Sequence, residues 1–136
     1  MAKELFKEDL DFQIGFYEGL LQKKPDFAQA LVVLGEIYTR KGFIEKGLEA
    51  DRKLVGLRPD DPVAHYNLAC DYSLLKMPEQ SLQALQASLH LGYRDFSWLE
   101  KDEDLNFVRQ DERFHKLVSR YTKNTTRLPR KTKKRV

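Results

Sequence analysis

The chain has 136 residues, 41% hydrophobic and 33% charged, which is enough to bury the core of one domain. Its sparse glycine and proline argue against a sandwich or barrel, and its one cysteine excludes an internal disulfide. No apolar run approaches the ~18 residues of a membrane span, and the start MAKELFKEDL has no signal-peptide core. We therefore expect a helical, soluble, cytoplasmic protein.

The first predicted helix covers residues 8–23. Its apolar residues Leu10, Ile14 and Leu21 recur 34 residues later as Ile44, Leu48 and Val55. A second apolar face of this helix carries Leu5, Phe6, Phe12 and Phe16. That face either folds under the amino terminus or meets another subunit, so both a monomer and a homodimer through this helix are open.

The next helices form two copies of a hairpin. They are predicted at residues 27–41, 43–57, 61–75 and 78–91. The first copy contains LVVLGEIY, and the second contains HYNLACDY 34 residues further on. This offset aligns Leu34 with Leu68, Gly35 with Ala69, and Tyr38 with Tyr72.

Gly35 lies in the middle of a helix, where glycine costs ~1 kcal/mol relative to alanine. We interpret it as the place where the backbone of the second helix of the hairpin packs closely. Gly35→Leu should then destabilise the protein by ~2 kcal/mol or more through overpacking.

These copies resemble the tetratricopeptide repeat family, whose pattern is W-x2-L-G-x2-Y, then A-x3-F, then P. Here it reads L-x2-L-G-x2-Y at residues 31–38 and H-x2-L-A-x2-Y at residues 65–72. Asp51 departs from the pattern, since the family has an aromatic residue there, and Gly47 and Ser81 stand at the small position. The resemblance implies an all-α solenoid of hairpins with about two and a half repeats, at residues 8–26, 28–61 and 62–95.

A different pattern follows the second hairpin. It resembles the terminal segment of many bacterial tetratricopeptide proteins, and the matching residues are Gly92, Tyr93, Asp95, Trp98, Leu99, Asp102, Asp104, Leu105, Arg109, Asp111, Arg113 and Phe114. The resemblance implies that residues 96–121 form a cap of two or three short helices, which closes a single domain over 1–121. Phe96 and Trp98 are expected to lie over the preceding second helix.

The run D-x-D-x-N at residues 102–106 resembles the start of an EF-hand calcium loop. Phe107 stands where that loop needs glycine, and Arg113 stands where it needs glutamate. No metal or cofactor is therefore expected. Asp102 and Asp111 are interpreted instead as N-caps of short helices.

The sequence carries no catalytic motif. Its three histidines are dispersed, and HExxH, GxxxxGK[ST] and GxSxG are all missing. A non-enzymatic adaptor is therefore expected, which binds a peptide segment or a partner surface.

The family resemblance implies a concave groove along the first helix of each hairpin. Its predicted residues are Gln29, Val32, Val33, Glu36, Thr39, Arg40, Val63, Tyr66, Asn67, Cys70 and Ser73. Asn67 stands where the family often holds a peptide backbone, whereas Glu36 beside Arg40 argues against a clamp for a peptide carboxylate. Such a short groove should bind with about micromolar affinity. Tyr66→Ala with Asn67→Ala should abolish binding and leave the fold intact.

The last segment, residues 122–136, is predicted to be a basic disordered tail. It holds seven of the 24 basic residues and no acid, so the tail is about +7 and the remainder about −4. The alternative function is a nucleic-acid or ribosome-associated accessory protein with weak polyanion binding through Arg127, Arg130, Lys131, Lys133, Lys134 and Arg135. A solubilising end, or a tail that folds onto the acidic body, is also open.

Overall fold

The computed structural model describes the backbone of residues 2–127 and the side chains of residues 9–123. The described chain is helical, in the order α1 (Ala2–Lys23), α2 (Ala28–Lys41), α3 (Ile44–Leu57), α4 (Pro62–Leu74), α5 (Pro78–His90), α6 (Phe96–Lys101), η1 (Glu103–Leu105, a 3-10 helix), α7 (Asn106–Arg109) and α8 (Glu112–Arg127). Within the described residues, no helix is long and apolar enough to cross a membrane.

The long helices stack as consecutive hairpins. α2 pairs with α3 and α4 pairs with α5, while α1 packs on α2 and α3 packs on α4. Local signals set the boundaries: Gly42 ends α2 in the left-handed conformation, with φ of 85°. Asp61 begins α4, because its side chain accepts a hydrogen bond from the Val63 backbone N–H at 2.9 Å.

Two helices are longer than predicted. α1 begins at Ala2 rather than at residue 8, because AKELFKE contains good helix formers and no glycine or proline. α8 continues to Arg127 rather than ending near residue 121, since the next proline in the sequence is Pro129. The predicted tail therefore starts with helical residues. Its remainder, and the side chains of all six predicted polyanion contacts, lie outside the described part of the chain.

The hydrophobic core has two parts. The first lies among α2, α3 and α4 and contains Leu31, Leu34, Tyr38, Ala50, Leu54 and Ala64, with side chains of α1 packed against it. The second joins α4 and α5 to the capping segment, where Leu99, Leu105, Val108 and Phe114 are fully buried. Phe96 packs against this second part, whereas Trp98 is not among the side chains packed there and leaves 44% of its surface exposed.

The hairpin crossings differ from the predicted arrangement at Gly35. A Cβ atom built on Gly35 would collide with the carboxylate of Asp51, which is a side chain of α3 and not its backbone. The close backbone approach is at Gly47, where a Cβ would stand 3.5 Å from the Gly35 carbonyl oxygen. In the second hairpin Ser81 takes the corresponding place, and its hydroxyl donates to the Ala69 carbonyl at 2.8 Å.

The capping segment is held by its own polar contacts. The Asp102 side chain accepts from the Asp104 backbone N–H at 3.0 Å, and the Asp111 side chain accepts from the Arg113 backbone N–H at 2.9 Å. Both predicted N-caps are therefore confirmed. Arg109 donates to the carbonyls of Leu99 and Asp102, which ties the short helices together.

Candidate functional site

A groove of about 400 Å³ runs between α2 and α4, and the capping segment forms one of its walls. α2 contributes Val32, Gly35, Glu36, Thr39 and Arg40. α4 contributes Tyr66, Asn67, Cys70 and Asp71. Asp51 of α3 and the cap residues Trp98, Asp102 and Asp104 complete the lining.

Most of the predicted groove residues meet at this place. Val32, Glu36, Thr39, Arg40, Tyr66, Asn67 and Cys70 all line the groove. Gln29, Val33 and Val63 do not line it, and Val63 is 52% exposed elsewhere on α4. Ser73 is fully buried, and its hydroxyl accepts a hydrogen bond from the Val108 backbone N–H, so it faces the cap instead.

The sequence interpretation missed the acidic part of the groove. Asp51, Asp71, Asp102 and Asp104 line it together with Trp98. The sequence did contain one indication of this acidic part. The 34-residue offset aligns Asp71 of the second repeat with Ile37 of the first, which is a buried core residue. A charged residue at a core position of a repeat is expected only where it has a partner.

That partner is Asp51. The two carboxyl groups hydrogen-bond to each other, although Asp51 is only 4% exposed and Asp71 only 2%. Burial, followed by the hydrogen bond and the charge of Asp51, raises the pKa of Asp71 to about 10. Burial also raises the pKa of Asp51. A hydrogen bond between two carboxyl groups requires a proton, so the pair shares one at neutral pH.

Tyr66 connects α4 to the capping segment. Its hydroxyl donates to the Asp102 side chain, and its ring stacks on Tyr93 with 4.5 Å between centroids. Only 5% of its surface is exposed. The expectation that Tyr66→Ala leaves the fold intact is therefore wrong, because the change removes a buried ring from the second core.

Cys70 lies beside this contact, with its Sγ 3.8 Å from Asp102 Oδ2. Burial raises the pKa of the thiol, and the charges of Asp102 and Asp104 raise it further. We expect a disulfide reagent to modify Cys70 of the native protein about 100-fold more slowly than in the unfolded chain, since the thiolate is the reactive form. Absorbance of the released thiol at mildly alkaline pH measures the rate.

A matched control is a cysteine at an exposed position of the same domain. Ser97→Cys in a Cys70→Ser background introduces one on α6, and it should react at nearly the rate of the unfolded chain. Equal rates for the native wild type and this control would contradict the buried position of Cys70.

The accessible rim of the groove is polar and partly unpaired. Glu36 and Arg40 form an exposed ion pair with 2.9 Å between Arg40 Nη2 and Glu36 Oε2. The half-buried Asn67 amide makes no hydrogen bond to another described residue. It can therefore donate to and accept from the backbone of a bound segment.

We next consider whether the groove residues could bind a metal ion or act as an acid–base pair. Within the described residues, no three histidine, cysteine or acidic side chains are placed to hold a metal ion. The shared-proton pair of Asp51 and Asp71 has the composition of an acid–base dyad. Both carboxyls are nevertheless almost fully buried, and no histidine is among the groove residues.

Comparison with known proteins identifies the fold. No family model matches the sequence. A chloroplastic protein of Arabidopsis thaliana is 33% identical over 109 residues, which is 76% of this chain. The match covers 32% of that protein, so the chain spans about a third of its length.

Two crystal structures of MamA resemble the whole arrangement, with TM-scores of 0.68 and 0.69. Each is 22% identical in sequence, and the matches cover 91% and 93% of this chain and 66% and 72% of those chains. At this identity the likeness shows the fold alone. The chain has an all-α, tetratricopeptide-like fold, as the repeat pattern predicted.

Proposed function

We propose that this protein is a non-enzymatic interaction module that binds a segment of a partner protein in the groove between α2 and α4. The observation that carries the proposal is the convergence of seven predicted contact residues on one open groove of about 400 Å³. A groove of this size takes a few side chains and the adjoining backbone of an extended segment.

The wall chemistry supports a peptide ligand. Asn67 has an amide available for the backbone of the segment, and Trp98 offers an apolar surface that is 44% exposed. Exposed tryptophan beside polar groups is typical of binding surfaces, because it buries a large area with few rotatable bonds. A single segment in a groove this short should bind with about micromolar affinity.

The test compares two double variants of the full-length protein. Glu36→Ala with Asn67→Ala changes the groove at two positions that do not belong to the core. Gln29→Ala with Val63→Ala changes the same two helices outside the groove. Partners captured from cells of the native host are quantified by mass spectrometry, and the affinity of each candidate segment is then measured with purified protein.

We expect the groove variant to lose the specific partner and the control variant to retain it. Both should unfold within about 0.5 kcal/mol of the wild type, because the substitutions are at accessible positions. A groove variant that captures every partner of the wild type, and binds the purified segment equally well, would place the binding surface elsewhere.

A further inference from the structure

The outer face of α1 is apolar and largely exposed. α1 is the first helix of the stack, and its inner face packs Ile14, Tyr17 and Leu21 against the first part of the core. The opposite face carries two aromatic side chains, Phe12 with 70% and Phe16 with 52% of their surface exposed. Neighbouring exposed aromatic residues mark interaction surfaces, because their contact with water is unfavourable.

Two glycines lie beside these rings. Phe12, Gly15, Phe16 and Gly19 are three or four residues apart and therefore share one side of the helix. A Cβ atom built on either glycine would meet no described atom within 4 Å, so packing within the described chain does not require glycine there. The two rings stack on each other with 6.4 Å between their centroids. These four residues, here called the outer patch, present raised rings beside a low stretch of bare backbone.

We propose that α1 is a dimer interface, in which the outer patch packs antiparallel against the outer patch of a second copy of this chain. A pair of helices centred between Gly15 and Phe16 brings Phe12 of one copy level with Gly19 of the other, and Phe16 level with Gly15. The two-fold symmetry of such a pair makes each contact twice. Each ring then meets a glycine, whose missing side chain leaves room for close approach.

The charges at the two ends of the outer patch agree with this register. Asp9 and Lys23 are exposed, and both lie on the side of the helix that carries the rings. Neither belongs to an ion pair within the described part of the chain. The antiparallel pair places Asp9 of each copy beside Lys23 of the other, with an offset of one residue. A parallel pair would instead place like charges together, which is unfavourable.

Other occupants of the outer patch are less well matched. The amino-terminal residues do not fold back over it, because α1 is one helix over Ala2–Lys23. The capping segment packs on α4 and α5, at the opposite end of the stack. A separate protein with an apolar segment is the remaining competitor. A copy of this chain, however, carries rings, glycines and charges in the complementary order as a consequence of its sequence.

This interface is separate from the groove of the proposed function. None of the described residues that line the groove lies on α1. A dimer that fails to form therefore leaves the groove proposal intact, and a groove that binds no segment leaves the dimer intact.

The exposed area of the rings sets the expected strength of the dimer. The exposed parts of the four rings amount to roughly 500 Å², since one phenylalanine offers about 200 Å². A standard stable interface buries ~1,200–2,000 Å². We therefore expect a weak dimer, with a dissociation constant on the order of 10–100 µM.

Sedimentation velocity of the full-length protein between about 5 and 500 µM measures this association. The protein should be mostly monomeric at the lowest concentration and mostly dimeric at the highest. A monomer at every concentration would overturn the proposal.

The first variant removes the more exposed ring. Phe12→Ser should weaken the dimer on the order of tenfold or more. Phe43→Ser is the matched control, because it removes a ring that is 46% exposed just before α3, and it should change the dissociation constant less than about twofold. Circular dichroism should show unchanged helix content in both variants. If Phe12→Ser dimerises as tightly as the wild type, the outer patch is not the interface.

The second variant fills the place that receives the ring of Phe12. Gly19→Gln should weaken the dimer on the order of tenfold. It should leave the melting temperature of the monomer unchanged or higher, because a Cβ there meets no described atom and glutamine is a better helix former than glycine. Gly56→Gln, at an equally open position of α3, should leave the dimer unchanged. Association of Gly19→Gln at the wild-type strength would contradict the contact between ring and glycine.

Charge reversal tests the antiparallel register. Asp9→Lys and Lys23→Asp should each weaken the dimer at low salt, because each change places like charges together twice. The double variant restores opposite charges and should dimerise within about threefold of the wild type. A double variant that associates no better than either single variant would refute the antiparallel pair.

Discussion

We expect Gly35→Ala to destabilise the protein, although alanine is the better helix former by ~1 kcal/mol. The added methyl group would collide with the carboxylate of Asp51, which is 4% exposed and hydrogen-bonded to Asp71. Overpacking of this kind costs ~1–3 kcal/mol, and moving Asp51 also disturbs the buried carboxyl pair. We therefore expect a net loss of ~1–2 kcal/mol in the free energy of unfolding, and a larger loss for leucine.

Gly56→Ala is the matched control, because it also lies in a helix but a Cβ there would meet no atom within 4 Å. It should stabilise the protein by up to ~1 kcal/mol. Urea unfolding followed by circular dichroism measures both changes. In an Asp51→Ala background, Gly35→Ala should become neutral or stabilising. An equal cost of Gly35→Ala in both backgrounds would show that Asp51 is not the contact.

The second large effect is a loss of stability as pH rises. The unfolded chain releases the protons of both aspartates above about pH 4, whereas the folded pair of Asp51 and Asp71 keeps one until the pH approaches about 10, the pKa of Asp71. The folded state binds more protons between these limits. Its free energy of unfolding should therefore fall by up to ~1.4 kcal/mol per pH unit.

Asp71→Asn should remove most of this slope, because the amide donates a hydrogen bond to Asp51 without holding a titratable proton. The variant should accordingly be more stable than the wild type at about pH 8 and less affected by pH. Urea unfolding at a series of pH values between about 5 and 8 gives the profile. Asp60→Asn, on the exposed turn before α4, should leave the wild-type slope unchanged.

Other titrating groups do not reverse the expected direction. Burial raises the pKa of Asp104, which adds to the loss of stability at rising pH. Arg113 lowers the pKa of Asp111 to about 2, so the stability from that contact is present above about pH 4 and is lost only in stronger acid. A wild-type profile that is flat or rises from about pH 5 to pH 8 would contradict the shared proton.

The repeat pattern predicted the hairpins because their signals are local. The 34-residue offset, the apolar periodicity and the turn residues each act over a few positions, and the observed helices α2 to α5 begin and end within one residue of the predicted bounds. The two errors of helix length arose because the start of α1 was taken from the repeat register and the end of α8 from the last residue of an apolar stripe, Tyr121, rather than from helix propensity. The residues AKELFKE and the distance to Pro129 already favoured longer helices.

The sequence by itself therefore determined the all-α hairpin fold, the order of its helices, and one face of the groove. The family resemblance implied which positions of the first helix of each hairpin face the groove, and Val32, Glu36, Asn67 and Cys70 are among the implied residues that line it. Only the tertiary structure brought together the acidic part of the groove. Asp51, Asp71 and Asp104 lie on three elements, separated by 20 and 33 residues, and no local rule states that they meet. Gly35 is a second example. The sequence predicted a backbone contact at this glycine, whereas the packing of α3 places the Asp51 carboxylate against it.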